Sequence, residues 1–210
     1  MRAMKPIAAT LPAAIAAAFL LSVPAFAQNA PDAAKAKEAF ATCVACHGED
    51  GNSNPATTLW PTLAQQHPEY LLSQYMAFKN GTRTDETMQP FAAMLEEKDA
   101  RKVFAWVAAQ KAKTPEAKVD AKSAELGEKI FRGGIQDRRI PSCAACHSPD
   151  GGGIPVQYPR IAGQHSDYTA KQLTAFRDGT RTTNQTMADV AAKMNDREIK
   201  AVSDYIASLR

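Results

Sequence analysis

Every cysteine in this chain falls into one five-residue pattern, and the pattern occurs twice: Cys43-Val44-Ala45-Cys46-His47 and Cys143-Ala144-Ala145-Cys146-His147. Cys-x-x-Cys-His is the attachment signature of c-type haem. The thiols form thioethers to the macrocycle, and the adjacent histidine reaches the iron as its first axial ligand. Two copies predict two covalently bound haem c groups, one on Cys43 and Cys46 and one on Cys143 and Cys146, with His47 and His147 on the irons. Other readings of four cysteines fit less well. A thioredoxin-like pair expects a βαβ context, and no alternating run long enough for a sheet is present. Zinc ribbons set their CxxC pairs ~15–20 residues apart, whereas these lie about 100 apart. Two disulfides would suit an oxidising compartment but leave the histidine after each second cysteine unexplained.

The motifs belong to a larger repeat. Shifted by about 100 residues, the first half falls on the second, as a duplication of one domain would give; two copies are too few for a stacked array. Pro61-x-Leu63-Ala64 matches Pro159-x-Ile161-Ala162, and Gln66-His67 matches Gln164-His165. Tyr70, Gln74, Phe78 and Gly81-Thr82-Arg83 match Tyr168, Gln172, Phe176 and Gly179-Thr180-Arg181. Thr87-Met88 matches Thr186-Met187, and Val103, Trp106 and Val107 match Val202, Tyr205 and Ile206.

Each half reads as helical. An opening helix carries Ala33, Ala36 and Phe40 into Cys43, with Asp32 expected as its N-cap. Its counterpart carries Leu126, Ile130 and Phe131 and breaks at Gly133-Gly134. A middle helix starts near His67-Pro68, where proline is tolerated, and stops at Asn80-Gly81. Its counterpart runs from Ser166-Asp167 to Gly179. In the last helix Ile199, Val202, Ile206 and Leu209 form an apolar stripe, and Asn195 with Glu198 resembles a capping box. The expected boundaries are 28–112 and 123–210 for the domains, with a charged, alanine-rich linker at 113–122. A domain of ~90 residues has a limited core, so the haem is expected to supply its centre and the apoprotein to fold poorly.

Residues 1–27 read as a secretory signal peptide: Arg2 and Lys5 precede an apolar run from Ile7 to Leu21, and Ala25-Phe26-Ala27 is a small-x-small cleavage site. The run is short for a membrane span, which needs ~20 apolar residues. Cleavage after Ala27 predicts a periplasmic protein whose net charge falls from +3 to +1 as two basic residues leave. Residues 28–117 carry 9 basic and 11 acidic side chains and residues 118–210 carry 14 and 11. That asymmetry can orient a protein on a charged partner, or it is ordinary surface variation. No basic patch interleaved with aromatics points to nucleic acid.

The second axial ligand sets the chemistry. Histidine with methionine suits electron transfer, whereas an open position suits ligand or oxygen chemistry. The mature chain offers Met76, Met88, Met94, Met187 and Met194. Only Met88 and Met187 occupy matched positions, so they are the expected distal ligands, ahead of Met94 and Met194. Met76 reads as core filler. The alternatives are core packing for Met88 and Met187, which leaves the iron five-coordinate, or a bis-histidine scheme using His67 and His165. Those two histidines otherwise read as surface or capping residues. Carbonyls near Pro61 and Pro159 are candidate acceptors for the free ring N–H of each ligating histidine. Arg83, Arg160 and Arg181 either reach haem propionates or are solvated surface charge.

The mature chain resembles the dihaem cytochrome c4 family. The residues that carry this are Cys43 to Ser53; Phe131-Arg132-Gly133-Gly134; Cys143 to Gly151; Tyr158 to His165; and Lys171-Gln172-Leu173-x-x-Phe176-Arg177-x-Gly179-x-Arg181. The resemblance implies an all-α fold of two tandem class I cytochrome c domains related by pseudo-twofold symmetry. It also implies His/Met ligation in both, haems close at the domain interface, and electron delivery towards a terminal oxidase. The expected partners are a donor such as a quinol-oxidising complex and an oxidase as acceptor, with peripheral membrane association open. The first half departs from the family at Ala64-Gln65-Gln66, where Ala-Gly-Gln is usual, and in a short Gly81–Met88 stretch. The competing functions are a dihaem enzyme, such as a peroxidase or a sulfur-compound oxidising cytochrome, and a redox subunit of a larger complex. The symmetric methionines and the lack of a spare cysteine weigh against an enzyme.

Overall fold

The computed structural model describes residues 30–54, 56, 59–113 and 120–210. The expected leader at 1–27 and most of the linker at 113–122 lie outside them. The described residues fold into helices joined by loops, with isolated bridges instead of strands. The first half comprises α1 (Ala30–Phe40), α2 (Val44–His47), α3 (Pro68–Lys79), α4 (Met88–Ala92) and α5 (Glu97–Ala108). The second comprises α6 (Ala121–Gly133), α7 (Ala144–His147), α8 (Ser166–Arg177), α9 (Gln185–Ala191) and α10 (Asp196–Ser208).

Local chemistry sets these ends. Pro68 opens α3 where its missing N–H costs nothing. The Asp120 side chain accepts from the Ser123 amide at 2.7 Å and starts α6; α6 begins at Ala121, so the last residues of the expected linker are already helical. Gly134, at φ 69°, ends it. Asn195 and Glu198 form the capping box of α10. One expectation fails: α1 begins at Ala30, so Asp32 lies in its first turn, where a carboxylate favours the helix dipole, and is not the cap.

Each half has its own core. In the first, α1 lays Phe40 against Trp106 of α5, ring centroids 5.3 Å apart, with Leu71, Phe78, Val103 and Val107 around them. In the second, Phe131 meets Tyr205 at the same 5.3 Å, among Ile130, Ile140, Val202 and Ile206. Met76 packs against the first core as filler.

The halves meet through reciprocal polar contacts that generate the pseudo-twofold. Gln66 bonds both backbone groups of Arg160, and Gln164 both backbone groups of Thr62, at 2.7–3.0 Å. Arg83 and Arg181 pair as an antiparallel bridge. The symmetry lapses at one place. Ser53 bonds the His165 Nε2 at 2.8 Å across the interface, but its counterpart is Gly153, where a Cβ would lie 2.5 Å from the Tyr158 carbonyl oxygen. The His67 Nε2 faces no such hydroxyl and is buried without a hydrogen-bond partner among the described residues. Both histidines stand at the N-cap positions of their helices, as one of the two expected placements has it, though neither side chain makes a cap bond. The surface placement fails for His165, which is 3% exposed. Their positions beside the turns read as exposed only while the other half is ignored.

Candidate haem sites

Both Cys-x-x-Cys-His segments bend into one-turn helices, α2 and α7, and in each both cysteines and the histidine border the same cavity. His47 and His147 are buried. Each ring is fixed by its Nδ1, which donates to the Pro61 carbonyl at 2.8 Å and to the Pro159 carbonyl at 2.9 Å. These are the acceptors the repeat suggested. With the proton on Nδ1, the Nε2 lone pair is the one left for a metal. Burial pushes both imidazoles below their ordinary pKa, against the raising effect of the proline carbonyls, and so keeps them neutral. No two of the four cysteines are joined in a disulfide. Burial raises Cys43 and takes Cys143 up to about 11. Among the described residues no cluster of three or more His, Cys, Asp or Glu could hold a metal ion by itself.

Both motifs open into one cavity of about 930 Å³ that runs through the two halves. Its apolar wall includes Phe40, Leu71, Phe78, Leu173, Phe176 and Ile206. Its charged wall is one-sided: Arg83, Arg160, Arg181 and Lys171 against Asp85. An apolar chamber with cysteine pairs at two places and a positive rim fits macrocycles carrying carboxylates. The Arg160 guanidinium donates to the Ala162 carbonyl at 2.5 Å while lining this space.

Met88 and Met187 both line the cavity, half-buried, at the starts of α4 and α9. A shared device fixes them. The Met88 amide donates to Asp85 Oδ1 at 3.1 Å and the Met187 amide to Asn184 Oδ1 at 2.9 Å. Asp85 and Asn184 were missed in the sequence, although an Asx three residues before each methionine was a readable turn signal. Burial would raise the Asp85 carboxyl, but bonds from the Met88 amide and from Lys171 of the other half outweigh it and hold it below the ordinary range. Met94 and Met194 are unequal: the first is 57% exposed at the cavity edge and the second is packed in the second core.

A cytochrome c family model matches residues 33–111 and again 124–210. Cytochrome c4 of Pseudomonas aeruginosa is 42% identical over 193 residues, which cover 90% of this chain and 94% of that protein. The chain belongs to the cytochrome c4 family. The crystal structure of reduced recombinant cytochrome c4 from Pseudomonas stutzeri superposes with a TM-score of 0.78 at 38% identity, over 85% of this chain and 98% of that one. A thiosulfate dehydrogenase electron acceptor of Stutzerimonas stutzeri is 36% identical over 94% of each chain. Like the cytochromes c4, this protein is a dihaem electron-transfer cytochrome, a carrier and not an enzyme. Its two haem c groups are covalently bound through Cys43 with Cys46 and Cys143 with Cys146. No helix among the described residues is long and apolar enough to cross a membrane.

Proposed function

We propose that this cytochrome c4 is an exported, periplasmic carrier with His47 and Met88 on one iron and His147 and Met187 on the other. In this reading residues 1–27 are a leader cleaved after Ala27, and two domains, 28–112 and 123–210, flank a linker at 113–122. The observation that carries the ligand assignment is the matched pair of anchored methionines on the wall of the cavity that also holds both histidines. Bound haem supplies a one-electron couple, and a histidine–methionine pair raises its potential and favours transfer over ligand chemistry. The chain's own part is positional. Pro61 and Pro159 fix the imidazoles, Asp85 and Asn184 fix the methionine loops, and the apolar wall limits water.

Electrons are proposed to arrive from a donor such as a quinol-oxidising complex and to leave towards a terminal oxidase, with peripheral attachment to the membrane as one route between them. A second reading, a redox subunit that accepts electrons from a sulfur-compound oxidising enzyme, is supported by the similarity to the thiosulfate dehydrogenase electron acceptor. Steady-state reduction by each class of donor separates the two. The ligand assignment is tested by the methionine–ferric charge-transfer absorption. Met88→Ala and Met187→Ala are each expected to remove about half of it. A high-spin spectrum of the unaltered protein, or rapid carbon monoxide binding to it, overturns the assignment.

A further inference from the structure

Where the two halves meet, the cavity wall holds two buried cations whose hydrogen bonds all go to neutral groups. Arg83 and Arg181 are each 6% exposed. The Arg83 guanidinium donates to Gln74 Oε1 at 2.9 Å in its own half and to Gln172 Oε1 at 2.7 Å and the Tyr168 hydroxyl at 3.1 Å in the other. The Arg181 guanidinium donates to Gln172 Oε1 at 2.8 Å in its own half, and to Gln74 Oε1 at 2.6 Å and the Tyr70 hydroxyl at 3.1 Å across the interface. Its remaining bond goes to the Thr183 hydroxyl. Each guanidinium also lies 4.4 Å from the ring centre of its own half's phenylalanine, Phe78 or Phe176. Neither arginine enters an ion pair among the described residues. Asp85, the acidic residue on the cavity wall, is taken up by Lys171 and by the amides of Thr87 and Met88.

Burying a charge without a counter-charge is one of the heaviest penalties a fold carries, and two like charges side by side add to it. The four side chains form a closed ring. Each glutamine oxygen accepts from both arginines, so neither guanidinium can move without the other. A ring of this kind is stable when anionic groups enter the same cavity, and the carboxylates on the haem periphery are the anions available there.

We infer that Arg83, Arg181, Gln74 and Gln172 act as one shared positioning element whose positive charge raises the reduction potential of both haems, each arginine acting on both halves. Reduction adds an electron to the haem, and a fixed cation in a poorly solvated site favours that state. The inference rests on both cofactors bordering this cavity and not on which methionine binds which iron. Arg83→Gln or Arg181→Gln is therefore expected to leave the methionine charge-transfer absorption in place, so its failure is distinguishable from failure of the ligand assignment.

The test is a redox titration of the holoprotein with the two haems resolved by NMR. Either single glutamine variant is expected to lower both potentials, each by about a tenfold change in the reduction equilibrium, which is 59 mV for one electron. Tyr70→Phe with Tyr168→Phe removes two cross-interface bonds but keeps both charges, and leaves both potentials in place. A glutamine variant that moves only the haem of its own half, or neither, overturns the inference. Should the glutamine variants not fold, Arg83→Lys and Arg181→Lys keep the charge and lose the fork. Unchanged potentials then support the inference, and a tenfold fall in both overturns it.

Discussion

Adding a single methyl group at Gly127 tests how closely the first and last helices of the second half cross. Gly127 sits in the interior of α6, where a Cβ would lie 2.0 Å from the Ala201 carbonyl oxygen and 2.8 Å from the Tyr205 Cβ, both on α10. Comfortable contact needs ~3.5 Å, so Gly127→Ala must push α6 off α10 by roughly 1.5 Å. Overpacking of this kind costs ~1–3 kcal/mol. Removing a glycine from a helix interior returns ~0.5–1 kcal/mol. The expected net loss is about 1–2 kcal/mol. At ~4–8 °C per kcal/mol for a domain of this size, the melting temperature of the second half falls by roughly 5–15 °C. The equivalent position in the first half, four residues before the paired phenylalanine, is Ala36, also buried. There the reverse change, Ala36→Gly, is expected to destabilise by ~1 kcal/mol through helix propensity and by roughly 0.8 kcal/mol more through loss of a buried methyl group. Scanning calorimetry of the holoprotein reads both. A Gly127→Ala melting temperature equal to or above that of the unaltered protein would refute the reasoning, since it would mean that the helix crossing has room for the methyl group.

Two further outcomes follow from single residues. Gln65 stands at φ 61° at the third position of the turn that Gly163 makes at φ 66° in the second half; Gln65→Gly relieves a left-handed side chain and is expected to stabilise the first half by up to ~1 kcal/mol, and a lower denaturation midpoint would contradict this. Asp204, fully buried, joins α10 to Ser123 of α6 and Ser166 of α8 at 2.6 Å each and also accepts from Lys200. Burial would raise its carboxyl, but those donors outweigh it and hold the pKa below the ordinary range. A depressed carboxylate contributes stability above the ordinary carboxylate range and loses it as pH falls through the folded value. Asp204→Ala is accordingly expected to cost ~1–3 kcal/mol at neutral pH and progressively less on acidification; an equal cost at pH 7 and well below the carboxylate range would exclude the carboxylate as the source.

The helices and the haem positions were legible because each has a local cause. The Cys-x-x-Cys-His motif needs only consecutive residues, a proline or Asx marks a helix start wherever it lies, and an apolar stripe such as that of α10 declares its buried face. The odd residue at Gln65 was visible too, as a departure from the repeat, and its positive φ gives that departure a physical meaning. The repeat itself identified which methionines are equivalent, since comparison of two halves needs no coordinates. Asp32 was misplaced because a helix can start earlier than its first good cap when the residues before it are alanine and proline.

What the sequence by itself determined, then, is everything that one half of the molecule specifies: the elements, the attachment sites and the duplication. Tertiary structure alone decided what lies between the halves. Tyr70, Gln74 and Arg83 are residue types that serve equally well in water, so nothing in their pattern separates a solvated helix face from an interface. Only when the twofold brings them against Tyr168, Gln172 and Arg181 do two surface-like arginines become a buried, shared charge. The same juxtaposition makes His165 a bonded core residue and leaves His67 without its serine. A contact between residues far apart in the chain is a property of how the two copies pack, and that packing is what turns two equivalent sites into one electrostatically connected pair.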